Sequence, residues 1–92
     1  MNFELGQLVA TRQVSTKMDN NKVFRTEVFQ ALDKYMKCDW GSVPEGDAAI
    51  NDKAVRENNE RILAAYNTCA GEIWIITEWD RSYTTIIFPS DY

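Results

Sequence analysis

Residues 72–89, with the sequence EIWIITEWDRSYTTIIFP, predict the fold more clearly than any other part of the chain. Two apolar runs rich in Ile, Thr and aromatic residues, the types that favour strands, flank a polar stretch of hairpin length. A third run of this kind, RILAAYN at 61–67, precedes them, and the loop TCAG separates it from the next run. Three strands joined by short loops predict an antiparallel meander. Its central strand is expected at 72–79, because residues 73–76 are apolar on both faces.

Upstream of these strands, the spacing of the apolar residues changes to that of helices. Phe24, Val28 and Leu32 recur at four-residue intervals and place an apolar stripe along one side of the chain. This stripe predicts a first helix over residues 20–37.

A second helix is expected over about residues 44–57. Ser42 stands three residues before Glu45, as in a capping box, and Ile50 and Ala54 form a thin apolar stripe. This helix would pack less of its surface on the core than the first one.

Residues 5–11, LGQLVAT, form a short apolar stretch that is interpreted as a strand or as an initial segment packed on the core. The predicted fold is therefore one two-layer α+β domain over residues 1–92. Two helices cover one face of an antiparallel sheet, which has three strands, or four if residues 5–11 join it.

The composition excludes several kinds of chemistry. The 92 residues include no His, so Ser-His and Cys-His nucleophile pairs and His metal ligands are absent. The four Gly stand singly, which excludes a glycine-rich phosphate loop. Cys38 and Cys69 are too few for a four-ligand zinc site and are expected to remain reduced thiols. These absences leave catalysis by carboxylates alone open. We expect no cofactor, no metal and no catalytic residue, and the protein is predicted not to be an enzyme.

The charge and the apolar runs bear on partners and location. The net charge of −4, from 14 acidic and 10 basic residues, makes nucleic acid an unexpected partner, because binding phosphates needs a positive surface. No apolar run approaches the ~20 residues that span a bilayer, and the N-terminus lacks a secretory signal. The expected location is the cytoplasm, with another protein as the partner and no membrane contact.

The polar stretch between the last two strands is the first candidate site. In the structural interpretation, Arg81 pairs with Glu78 or Asp80 and stabilises the end of the hairpin. In the functional interpretation, these three residues and Trp79 form a recognition patch, because Arg beside an aromatic residue is typical of binding anchors. A third hypothesis is that the two carboxylates hold a hard cation or act as acid and base.

Three further residues are candidates for binding. Trp40 is expected to fill the core, with Asp39 capping backbone amides, although an exposed Trp40 beside an acid would be a binding hot spot. Arg12 could bind an anion. A lone Arg is a weak signal, so Arg12 is the least supported of the three.

Four stretches of the chain resemble a family of small bacterial proteins that is common on plasmids and other mobile DNA. They are LGQLVATRQV (5–14), DWGSV (39–43), RILAAYN (61–67) and IWIITEWDRSYTTIIFPSDY (73–92). The family pattern is similar, with an opening LGQ-V-A-T-R, a central GDWG, a RI/L-SAY strand and a C-terminal ITEADRS-TT-hPEEY. This chain has a Cys before DWG where the family has Gly, and a Trp between Glu and Asp where the family has a small residue. The family has no established activity, so the resemblance implies a genomic setting and no particular reaction.

Small size, acidity and this resemblance together predict a non-catalytic protein-binding module encoded on a plasmid or other mobile element. Its partner is expected to be a host or defence protein, as for anti-restriction or anti-CRISPR inhibitors. The hairpin end and the acidic second helix would be the contact surface. The alternative is a carboxylate-dependent metal-binding protein or enzyme that uses Glu78 and Asp80. A homodimer is a further hypothesis, formed through an uncovered sheet face that carries Trp74, Ile76, Ile87 and Phe88.

Overall fold

Four strands form one sheet and helices pack on it, so the fold is α+β as the sequence predicted. The structure is a computed structural model that describes residues 3–92. Its strands are β1 (Gln7–Ala10), β2 (Ile62–Thr68), β3 (Gly71–Thr77) and β4 (Tyr83–Ile87). Its helices are α1 (Arg12–Asn20), α2 (Lys22–Met36) and α3 (Glu45–Glu57), and a short 3-10 helix follows at Pro89–Asp91.

The sheet has the order β1-β4-β3-β2, which places β3 between two neighbours as predicted. β3 pairs with both β2 and β4 in the antiparallel sense, and this confirms the meander. β1 pairs with β4 in parallel, with Val9 beside Thr85, so the sheet is mixed rather than purely antiparallel. A parallel pair needs a long crossover connection, and the chain between β1 and β4 includes the three helices.

The predicted helix at 20–37 corresponds to α2, but the residues before it form α1, which the apolar spacing did not predict. α1 has nine residues, of which only Val14 and Met18 are apolar and only Val14 is buried, so few apolar positions mark it in the sequence. Thr11 caps α1 by accepting a hydrogen bond from the N–H of Val14. Asn21 separates the two helices in an extended conformation, with φ −143° and ψ 105°, and its side chain caps α2 at the N–H of Phe24.

α3 occupies the predicted range and ends at Asn58, whose left-handed φ of 53° stops the helix. The predicted capping box is wrong, because the helix starts without a side-chain cap and Ser42 donates its N–H to Ala65 O at 2.8 Å. The predicted apolar stripe is also partly wrong. Ile50 is 59% exposed, and the neighbouring Asn51 is buried instead.

The core lies between the helices and one face of the sheet. Phe24, Val28 and Tyr35 of α2 are fully buried in one cluster with Ile73 and Ile75 of β3. Alternate residues of a strand point to the same face, so the odd-numbered positions of β3 meet the helices. This packing explains why positions 73 and 75 are apolar.

A chain of buried hydroxyl groups joins α2 to β3 and β4. Tyr35 Oη lies 2.6 Å from Thr77 Oγ1, which lies 2.7 Å from Thr84 Oγ1, and Thr84 donates to Leu5 O at 2.7 Å. Each hydroxyl carries one proton, so Thr77 must donate to Thr84, and Tyr35 must donate to Thr77. Burial raises the pKa of Tyr35, which favours the protonated form that this order requires.

The other face of the sheet carries the C-terminal residues. Ile76 and Ile87 are buried there, and the ring of Tyr92 packs edge-on against Trp74 with 5.6 Å between ring centroids. Phe88 lies on the helix side of the sheet, within the core. The sheet face predicted to carry a homodimer therefore does not present Ile76, Ile87 or Phe88 to a partner.

Candidate functional site

The β3–β4 hairpin end, residues 78–82, has Arg81 as its buried centre. Only 6% of Arg81 is exposed. Its Nη1 donates to Glu60 O at 2.6 Å and to Glu78 O at 3.1 Å, and its Nη2 donates to Ala54 O at 2.9 Å. One guanidinium group therefore joins α3, the loop before β2 and the hairpin.

The predicted ion pair between Arg81 and Glu78 or Asp80 is wrong. Within residues 3–92, the Arg81 guanidinium donates to backbone carbonyls and forms no ion pair with a carboxylate. The reason is the C-terminal end of α3, whose carbonyl groups carry the negative end of the helix dipole. Ala54 O accepts from the N–H of Asn58 at 2.8 Å as well as from Arg81. A cation at this helix end is favourable without a carboxylate.

The two acids of the hairpin end take part in its turn. Asp80 Oδ1 accepts from the N–H of Ser82 at 3.0 Å, and the hydrogen bonds from Ser82 hold the pKa of Asp80 below its ordinary value. The backbone of Glu78 accepts from the N–H of Arg81 at 2.9 Å. In the described part of the chain, no group of three or more Cys, Asp or Glu is placed to hold a metal ion. The carboxylate hypothesis therefore finds no ligand cluster in residues 3–92.

Trp79 is the side chain of the hairpin end that faces solvent. It is 64% exposed, although its carbonyl oxygen lies 3.4 Å from Arg81 Nη1. The exposed acids Glu60 and Asp80 belong to the two loops that Arg81 joins. The hairpin end therefore presents the Trp79 ring near exposed carboxylates. Hydrogen bonds from Arg81 to the carbonyls of Glu78 and Trp79 hold the backbone that carries this ring.

The DWG turn contributes to the fold, as the sequence favoured. Trp40 is buried, and its Nε1 donates to Asp52 Oδ1 of α3 at 2.9 Å. Asp39 Oδ1 accepts from the N–H of Gly41 at 3.2 Å. Cys38 has a φ of 64°, in the left-handed region that favours Gly. Asp39 and Trp40 are therefore engaged in the turn and the core.

Arg12 lies apart from the hairpin end. It is the exposed first residue of α1, and Thr11 before it donates its N–H to Ile86 O at 3.1 Å. Ile86 lies near the C-terminal end of β4, whereas the hairpin end precedes Tyr83 at the other end of the strand. The structure brings Glu78, Trp79, Asp80 and Arg81 together and leaves Arg12 outside this group.

Sequence reasoning did not identify the polar residues of α3 that hold β2. Asn51 Nδ2 donates to Leu63 O at 2.8 Å, and Asn51 Oδ1 accepts from the N–H of Leu63 at 3.4 Å. The signal was available, because Asn51 lies three residues before the buried Ala54 and so on the same side of the helix. A polar residue in an apolar stripe indicates a buried hydrogen bond.

Comparison of the chain with models of known protein families, with curated proteins and with solved structures finds no match. Within residues 3–92, none of the helices has the length and apolar character required to cross a membrane.

Proposed function

We propose that this protein is a non-catalytic protein-binding module, encoded on a plasmid or other mobile element, that modulates a host or defence protein. Trp79 is the anchor of its contact surface. The observation that carries the proposal is the contrast within the hairpin end, where Arg81 is buried and the adjacent Trp79 projects into solvent.

The support beneath Trp79 favours a binding role. Arg81 donates to the carbonyls of Glu78 and Trp79, so the backbone that carries the ring is ordered before any partner arrives. A ring on an ordered loop loses little conformational freedom on binding, and Trp is enriched among the residues that dominate interface energies. A large apolar side chain at this position is well suited to fill a pocket of a partner.

The charge around Trp79 supports a partner with a basic surface. Glu57 ends α3, Glu60 and Asp80 lie in the loops that Arg81 joins, all three acids are exposed, and the whole chain has a net charge of −4. Proteins that act on nucleic acid present positive surfaces to phosphates. An acidic module with a central Trp would occupy such a surface, which is the mode expected of an inhibitor of a host defence protein.

The proposal is tested by capturing a partner from a bacterial host lysate on the immobilised protein and measuring its affinity for purified variants. Trp79→Ala should weaken binding by about 30-fold or more, which corresponds to roughly 2 kcal/mol, the loss at an interface hot spot. Val23→Ala is the matched control, because Val23 is an exposed apolar residue of α2, outside the proposed surface, with a similar exposure of 61%. It should retain the affinity of the wild-type protein.

Two results would contradict the proposal. One is equal affinity of Trp79→Ala and the wild type for the captured partner. The other is the absence of any specifically retained protein from the host that carries the mobile element. Thermal unfolding of Trp79→Ala should match the wild type, because the ring is exposed, and this measurement separates lost binding from lost folding.

A further inference from the structure

The two edges of the sheet differ in how their backbone groups are used. On β2, the N–H and C=O of Leu63 bond to the side chain of Asn51. The next outward-facing residue, Ala65, donates its N–H to Trp40 O at 3.3 Å and accepts from the N–H of Ser42 at 2.8 Å. The chain therefore covers this edge with its own polar groups, which prevents pairing with another strand.

The β1 edge lacks such a cover. The N–H groups of Gln7 and Thr11 donate to carbonyls of β4 and its preceding turn, each at 3.1 Å. Alternate residues of a strand direct both backbone groups to the same side, so Leu8 and Ala10 direct theirs away from β4. Within residues 3–92, β1 is the terminal strand and no other strand lies on that side.

Apolar side chains surround this open edge. A groove between β1 and the two N-terminal helices is lined by Leu8, Met18, Phe29 and Leu32. Leu8 is 47% exposed and Phe29 is 58% exposed, so the groove presents neighbouring apolar side chains to solvent. Val9 is exposed on the opposite face of the sheet. The edge therefore combines free backbone groups with apolar surface on both faces.

We propose that two copies of this chain associate by antiparallel pairing of their β1 strands, with Val9 opposite Val9 of the second copy. This register lets the outward N–H and C=O of Leu8 bond to those of Ala10 of the second copy, and the reverse, in a two-fold symmetric ladder. The two four-stranded sheets then form one continuous sheet of eight strands. Phe29 and Leu8 lie on the helix side of the junction, where the second copy covers them.

The charges beside the edge select a second copy in antiparallel orientation. Glu4 precedes β1 and Arg12 follows it, and both are exposed. Antiparallel pairing brings Arg12 of one copy toward the end of the edge that carries Glu4 of the other, whereas parallel pairing would align like charges. Asp19 and Arg25 both line the groove, so its two walls also offer opposite charges to a symmetric copy.

The first test is sedimentation velocity over a micromolar concentration series, in which the protein should approach twice its 10.6 kDa monomer mass. Val9→Lys and Val9→Glu should each give the monomer mass at the same concentrations, because like charges then face each other. An equimolar mixture of the two variants should regain the dimer mass. Val23→Lys is the matched control, because it makes the same change on an exposed residue of α2 that does not line the groove. It should dimerise like the wild type.

The second test uses disulfide formation in a Cys69→Ser background, which removes the exposed thiol. Residues opposite each other at a non-hydrogen-bonded position lie about 4.5 Å apart between Cα atoms, within the range that a disulfide bridges. Val9→Cys should therefore give a covalent dimer on mild oxidation. Leu8→Cys should not, because Leu8 faces Ala10 of the second copy and the two introduced thiols are offset along the strands.

Several outcomes would overturn the proposal. These are a monomer mass at every concentration, a dimer that persists in both Val9 variants, failure of their mixture to associate, or efficient crosslinking by Leu8→Cys. A monomer whose β1 edge instead takes up an extended peptide of another protein would also overturn it. The interface uses residues other than Trp79, so its failure leaves the proposed partner-binding surface unaffected.

Discussion

At the scale of single residues, Arg81 determines what the hairpin end can do. A buried guanidinium with its charge directed at helix carbonyls cannot also bind an external carboxylate or phosphate. Trp79 and the acids around it are therefore the side chains of the hairpin end that remain available to bind a partner. Arg81 is engaged by the fold, as the structural interpretation of the sequence expected, but through backbone carbonyls and not through a carboxylate.

Replacing Arg81 should destabilise the fold strongly. Arg81→Met should lower the free energy of unfolding by about 2–4 kcal/mol, because a buried hydrogen bond to Ala54 O and half-buried ones to Glu60 O and Glu78 O lose their charged donor. Urea denaturation measures this. Arg56→Met is the control, because Arg56 is an exposed residue of α3. It should change the free energy of unfolding by less than about 0.5 kcal/mol. Similar losses of unfolding free energy in the two variants would show that the hydrogen bonds of Arg81 do not stabilise the fold.

Gly41 provides a second test at this scale. It has a φ of 74°, and a Cβ there would collide with Ala65 O and lie 2.8 Å from Tyr66 Cδ1. Gly41→Ala should therefore destabilise the protein by more than about 1 kcal/mol. Gly46→Ala is the control, because it lies in α3 with open space around it and should stabilise by about 0.5–1 kcal/mol. Thermal unfolding of both variants tests this prediction. Equal stability of the two variants would contradict the close approach of Gly41 to Ala65 O.

At the scale of elements, buried hydroxyl groups hold the helix layer in register with the sheet. Tyr35 of α2, Thr77 of β3 and Thr84 of β4 share one directed chain of hydrogen bonds that ends on the carbonyl of Leu5. Each group is satisfied only when all three elements are in place. The chain therefore couples the packing of α2 to the pairing of β3 with β4.

Breaking this chain at its centre should be costly. Thr77→Val keeps the side-chain shape but removes the acceptor of Tyr35 and the donor to Thr84, so we expect a loss of about 1–3 kcal/mol. Thr85→Val makes the same change at a half-buried site on the other face of the sheet and should have little effect. Equilibrium unfolding of both variants gives the comparison. No difference between them would mean that the hydroxyl chain adds nothing to stability.

At the scale of the whole molecule, the proposed surfaces lie on different parts of the sheet. Trp79 stands beyond the end of β3, and Val9 lies on the free edge of β1, with β4 between the two strands. The Trp79 surface is an aromatic ring near acidic side chains. The β1 surface is a row of backbone hydrogen-bonding groups flanked by apolar side chains. A dimer formed through β1 would carry two Trp79 surfaces and bind a symmetric partner with two contacts.

This separation predicts independent behaviour of the two surfaces. Trp79→Ala should keep the dimer mass of the wild type in sedimentation, because it does not alter the β1 edge. Val9→Lys should keep the intrinsic affinity of one Trp79 surface for a captured partner, measured with the partner immobilised at low density. Loss of dimer in the first variant, or of intrinsic affinity in the second, would mean that the surfaces are coupled.

The local pattern of residues was sufficient for much of the fold. The strands of the meander and the range of α2 and α3 follow from apolar spacing, turn residues and β-branched content, which act over a few neighbouring residues. α1 was not predicted because only Val14 and Met18 of its nine residues are apolar, too few to establish a repeating pattern. The parallel pairing of β1 was equally hidden, because a short strand carries no signal of its direction in the sheet.

The sequence by itself determined the α+β class, the meander and the grouping of Glu78, Trp79, Asp80 and Arg81 in one hairpin end. The tertiary structure decided which of them is buried and what each one binds. The physical reason is that a polar side chain binds backbone groups that come within its reach only after the elements pack. For Arg81 these groups lie 27 residues away at Ala54 and 21 residues away at Glu60, beyond the reach of any local pattern.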